Sequence, residues 1–138
     1  MLFLRGVLRM PAIWQAWIGV LFLVNFVGPL FFLSESAAIV TLVAMITGGL
    51  VGEALTQVQG FTKLLGLMHG SWVPMFVFQL IVLFGDEPTG AFQTWLIASV
   101  IVSGISLVID VADVAAGLDA QPPVGSLHYL TSILVGDR

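Results

Sequence analysis

The sequence has no cysteine. Disulfides, thiolate nucleophiles, iron–sulfur clusters and cysteine-ligated zinc are therefore excluded. Charge is scarce as well. Asp, Glu, Lys and Arg make up 9% of the 138 residues, against about 25% in an ordinary soluble domain. Four residues are basic, namely Arg5, Arg9, Lys63 and Arg138. Four scattered cations cannot track a phosphate backbone, so nucleic acid is not a partner. There is no Gly-rich phosphate loop and no Ser–His or Cys–His spacing suited to a nucleophile. No catalytic residue is assigned, and the chain does not read as an enzyme. Haem held by two buried imidazoles is disfavoured, because His69 alone lies in an apolar stretch and His128 lies near the end of the sequence. No cofactor is expected.

What is present is apolar. Hydrophobic residues make up 59% of the chain, beside 15 glycines. A soluble domain of this size cannot hide that much apolar surface. Four stretches reach the ~20 apolar residues that cross a bilayer: about 11–33, 37–58, 61–84 and 91–118. The expected fold is all-α, a polytopic integral membrane protein with four transmembrane helices in an antiparallel bundle. Residues 1–118 form that domain. Residues 119–138 form a tail in which Leu127, Leu130 and Leu134 share one face of a short amphipathic interfacial segment. Pro11 suits a first helical turn, Ser34-Glu35-Ser36 offers capping oxygens, and residues 85–90 read as a turn. The first stretch exceeds the 7–15-residue core of a signal peptide and lacks a small-residue cleavage site, so it reads as a retained span.

Orientation follows from the basic residues. With both termini cytoplasmic, Arg5, Arg9, Lys63 and Arg138 all fall inside, while Glu35, Asp86 and Glu87 fall outside. A bacterial-type inner membrane fits this bias. Trp14 and Trp17 fit one aromatic belt and Trp95 the other, whereas Trp72 falls mid-span and reads as a packing residue.

Function is sought among polar residues inside the spans, which usually face a bundle interior. Ser99, Ser103, Ser106, Asp110 and Asp113 are spaced 4, 3, 4 and 3, which sets them on one helix face. The second span offers Thr41, Met45, Gly48, Gly52, Thr56 and Gln59, with Glu53 beside them; Gly48 and Gly52 make a GxxxG step. The third has Lys63, Gly66, Gly70 and Pro74 on one face, with His69 adjacent. Pro74 is expected to kink this helix and free the Gly70 carbonyl. At ~1.5 Å per residue, Glu53, Lys63, His69, Asp110 and Asp113 all fall in the cytoplasmic half, with His69 ~7 Å from the depth of Asp110. In the outer half, Asn25, Pro29 and Gln79 are the nearest equivalents and none is ionisable.

Three readings of the charged cluster stay open. Lys63 pairs with Asp110 or Asp113 as a staple. Alternatively, the histidine and carboxylates handle protons, with the serine stripe holding water. In the third, Glu53, His69 and Asp110 ligate a metal, against which stand the absence of a Glu-x-x-His pair and the difference in depth; no metal is assigned. The resulting expectation is a small homo-oligomeric translocator or channel for a proton or small cation. Its alternative is a non-catalytic accessory or assembly subunit that uses the polar seam to bind another membrane subunit. Lipid is the surrounding partner in both.

Overall fold

The structure, a computed structural model, describes residues 2–59 and 63–119. All secondary structure among the described residues is helical. Four helical stretches, Ala12–Phe31, Ser36–Val58, Leu67–Gly85 and Gly90–Ala116, are long and apolar enough to cross a membrane. The junction 60–62 and the tail from 120, with its expected amphipathic segment, lie outside the described residues.

A short helix α1 (Leu2–Val7) precedes the first long stretch, an element the apolar-run count does not register. Its Val7 is buried, and the helix packs on α3 (Ser36–Gln59). The chain then turns at 8–11 into α2 (Ala12–Phe22). Gln15 locks that turn, its Nε2 donating to the carbonyls of Leu8 (3.2 Å) and Met10 (2.8 Å).

The first long stretch is not one regular helix. α2 passes into a π-helical turn, Leu23–Val27, then a 3-10 turn, Gly28–Phe31. Pro29 explains the change. In the π turn the Gly28 N–H bonds the Leu23 carbonyl. The Val24 carbonyl thus loses its α-helical donor, and its π-helical donor would be Pro29, which has no N–H. Trp95 fills the gap from another helix, its indole Nε1 donating to the Val24 carbonyl at 2.8 Å. The approach needs glycine at 28, since a Cβ there would lie 2.5 Å from Trp95 Nε1. Trp95 is therefore buried rather than an exposed belt residue.

The third long stretch also departs from expectation. It begins as a 3-10 helix, Lys63–Ser71, and becomes α4 (Trp72–Gly85) one residue before Val73-Pro74. Pro74 therefore sits in the first turn of α4, just past the point where the 3-10 segment gives way to the α-helix. Nine residues is long for a 3-10 helix, whose ~2.0 Å rise carries side chains further along the axis than an α-helix does. A turn containing Gly90 at φ 69° leads into α5 (Gly90–Asp119).

Packing inverts the pattern of a water-soluble domain. α5 exposes Ile97, Ile101, Ile105, Val108 and Val111 and buries Ser99, Ser103 and Ser106. An apolar rim around a polar seam suits a hydrocarbon surround. Two apolar layers hold the helices together. One joins Ala37, Ala38, Val82, Trp95 and Leu96, with Phe32 stacked on Trp95 and Phe92 tilted against it. The other joins Leu21, Ala44, Trp72 and Met75.

Candidate functional site: a buried polar seam

Between and beside these layers runs the polar seam, in two parts. The first is a neutral network that ties four helical stretches together. Asn25 is turned inward from the π turn, where the extra residue per turn re-aims side chains. The hydrogen-bond directions follow from the proton count. The Thr41 hydroxyl donates to the Ala37 carbonyl (2.7 Å) and the Ser99 hydroxyl to Asn25 Oδ1 (2.6 Å). Both oxygens have spent their protons, so both accept from Gln79 Nε2, each at 2.8 Å. Asn25 Nδ2 donates to Ser103 Oγ at 3.1 Å. Asn25, Thr41, Gln79, Ser99 and Ser103 are all fully buried.

Two buried side-chain atoms have no partner among the described residues, Gln79 Oε1 and Trp72 Nε1. They stand on the same buried face of α4, seven residues apart, with the buried Met75 between them. One is an acceptor and the other a donor.

The second part is ionisable. His69 Nδ1 lies 2.5 Å from Asp110 Oδ2, and both side chains keep some exposure, 13% and 17%. A carboxylate only accepts, so the pair sets the Nδ1–H tautomer and leaves Nε2 as an acceptor when the ring is neutral. The imidazole also lies against the Trp72 indole, ring centroids 4.2 Å apart. The 3-10 segment is drawn close to α3, where Gly48 and Gly52 permit it. A Cβ at Gly48 would meet the Met68 carbonyl at 3.1 Å, and one at Gly52 would meet Met68 Sδ at 2.9 Å. Ser71 Oγ donates across the same contact to the Ala44 carbonyl.

The residues singled out in the sequence divide accordingly. Ser99 and Ser103 join the neutral network, Ser106 is buried further along α5, and Asp110 meets His69. The ~7 Å depth difference expected between His69 and Asp110 does not keep their side chains apart, since Nδ1 and Oδ2 meet at 2.5 Å; over the three residues from Trp72 the 3-10 rise accounts for only ~1.5 Å of it. Asp113 is exposed. Val111 and Ala112 beside it are exposed as well, so this end of α5 has little packed against it. Glu53 is half-buried on α3 and accepts from Gln57 Nε2 at 3.4 Å. Lys63 heads the 3-10 helix, but the side-chain contact expected between it and Asp110 or Asp113 lies outside the described residues. No three His, Asp or Glu side chains converge among the described residues. Gly70, expected to form a close step with Gly66, faces open space. Asn25, Thr41 and Gln79 complete the site. The signal for them was a polar residue at matching depth in each of three apolar runs.

Compared with known proteins, the chain matches no family model, no curated protein and no solved structure.

Proposed function

We propose that the chain is a small membrane protein that moves a proton or small cation, its four spans forming an antiparallel bundle with both termini cytoplasmic. The observation that carries this reading is the His69–Asp110 pair standing at one end of a line of buried hydroxyls, Ser106, Ser103 and Ser99. A partly exposed acid–base pair can exchange a proton with water, and hydroxyls can relay one or solvate a small cation. An apolar layer of Leu21, Ala44, Trp72 and Met75 packs along the same part of the bundle, and ions or protons would have to pass it. A four-helix chain has little interior to hollow out, so transport implies several copies together.

The test is flux into liposomes containing the purified chain, with a pH-sensitive dye inside and then with cation gradients. Asp110→Asn keeps the shape and a hydrogen bond to His69, and removes the exchangeable charge. Flux that falls at least tenfold in this variant at unchanged thermal stability supports transport.

A second reading has its own observation. The hydrogen bonds run without a break from Thr41 through Gln79 and Ser99 to Asn25, and Phe32, Phe92 and Trp95 pack together as an aromatic cluster. A continuous network of this kind suits a rigid accessory or assembly subunit. Wild-type liposomes no leakier than empty ones favour this reading.

A further inference from the structure

We infer that α1 and the turn after it form a docking platform for an anionic phospholipid, with Arg5 and Arg9 on the headgroup phosphate and Leu4 and Leu8 against the upper acyl chain. Three observations carry it. The first is charge. Arg5 and Arg9 are the charged side chains of residues 1–34, and both are exposed. The ion pair among the described residues is His69–Asp110, so no described carboxylate engages either arginine.

The second is geometry. The Leu8 N–H bonds the Leu4 carbonyl at 3.1 Å, which continues the helical turn past Val7. Leu4 and Leu8 therefore stack as an i, i+4 pair with Arg5 beside Leu4, and Arg9 follows in the tighter turn, its N–H bonding the Gly6 carbonyl at 3.0 Å. Val7 faces the other way, buried against the bundle. Leu4 and Leu8 are more than half exposed (53% and 64%), as is Ile13 at the start of α2, with Trp14 beside it. Apolar side chains bordered by arginine and tryptophan match the boundary between acyl chains and headgroups.

The third is rigidity. Gln15 bonds two carbonyls of the turn, and Val7 anchors the helix. The two guanidinium groups are thus presented from a fixed backbone, and a guanidinium takes phosphate oxygens in a bidentate manner.

The platform is independent of transport. Its test uses the full chain in detergent micelles doped with equal amounts of phosphatidylglycerol and phosphatidylcholine, with retained lipid counted by native mass spectrometry. Each basic residue near an anionic surface favours binding by roughly fivefold, so the wild type should retain the anionic lipid ~30-fold over the zwitterionic one at low salt. Raising the salt shrinks the preference. Arg5→Gln with Arg9→Gln removes it, while thermal stability stays within a few degrees because both side chains are exposed. Gln15→Ala reduces it by loosening the turn. Inorganic phosphate does not displace the lipid, since it lacks the chain that Leu4 and Leu8 cover. Equal retention of the two lipids, a preference that survives in the double arginine variant, or displacement by inorganic phosphate each overturns the inference.

Discussion

The two parts of the seam solve the same problem in opposite ways. Asn25, Thr41, Gln79, Ser99 and Ser103 are neutral and fully buried, and they satisfy one another across four helical stretches. His69 and Asp110 are ionisable and keep part of their surface open. The reason is solvation. A neutral amide or hydroxyl trades a water for a protein partner at little net cost. A charge withdrawn from water loses far more than one partner restores. Their scaffolds differ to match. The neutral network hangs on long α-helices and one π turn, whereas His69 rides on a 3-10 segment beside two glycines. One part holds the helices in register, and the other leaves an ionisable pair at the edge of the packed interior.

The sharpest way to break that comparison is to remove one member from each part. Asn25→Leu strands the Ser99 hydroxyl and the Ser103 oxygen in a dry interior. With ~1–3 kcal/mol for a buried group left unpaired, offset by the fuller apolar side chain, the variant should lose about 2 kcal/mol. Asp110→Asn keeps a hydrogen bond to His69 at a half-open site and should lose less than about 1 kcal/mol. Thermal unfolding in one mild detergent reads both. A larger loss at Asp110 than at Asn25 would reverse the assignment of rigid and half-open parts.

Much of this division was legible beforehand. The four apolar runs fixed the number of long helices to within a few residues, because length and hydropathy alone decide what can span hydrocarbon. The serine face of α5 followed from 3.6-residue periodicity. The irregular backbone did not. The π turn at Leu23–Val27 depends on an indole arriving from Trp95, seventy-one residues away in sequence, and no local pattern encodes a distant donor. The 3-10 segment likewise depends on the close face that Gly48 and Gly52 offer it. Axial rise, at ~1.5 Å per residue, locates backbones and not the reach of side chains, so His69 and Asp110 meet although their backbone depths differ.

A smaller effect tests whether those glycines serve this chain or a neighbouring copy. Gly48→Ala presses a methyl on the Met68 carbonyl and the Trp72 indole, at 3.1 and 3.2 Å, and should cost about 1–2 kcal/mol in the subunit itself. Gly70→Ala meets nothing within 4 Å. It should be neutral or gain up to about 1 kcal/mol through the loss of unfolded-state freedom. Equal losses in the two variants would move the contact surface from α3 to the opposite side of the 3-10 segment, and dissociation of an oligomer by Gly48→Ala without loss of subunit stability would assign the step to an interface between copies.

The finest contrast lies between two buried tryptophans, one at each end of α4's packing. Trp95 Nε1 has a partner, the Val24 carbonyl that Pro29 deprives of a donor. Trp72 Nε1 has none among the described residues. Replacing either indole by phenylalanine removes similar apolar volume, so the packing loss roughly cancels between them and the hydrogen bond remains as the difference. At position 95 the change leaves a buried carbonyl without its donor, for an added cost of about 1 kcal/mol. At position 72 it removes an unsatisfied N–H, which should return up to about 1 kcal/mol against the packing loss. Trp95→Phe should therefore unfold at the lower temperature of the two, and restoring a backbone donor with Pro29→Ala should narrow the gap by supplying an N–H at position 29. Indole fluorescence gives a second reading from the same samples, taken as the difference between the two variants because Trp14 and Trp17 emit in both. If Trp72→Phe proves the more damaging change, its N–H has a partner that outweighs the bond to Val24, and the His69 end of the seam is the more tightly held of the two.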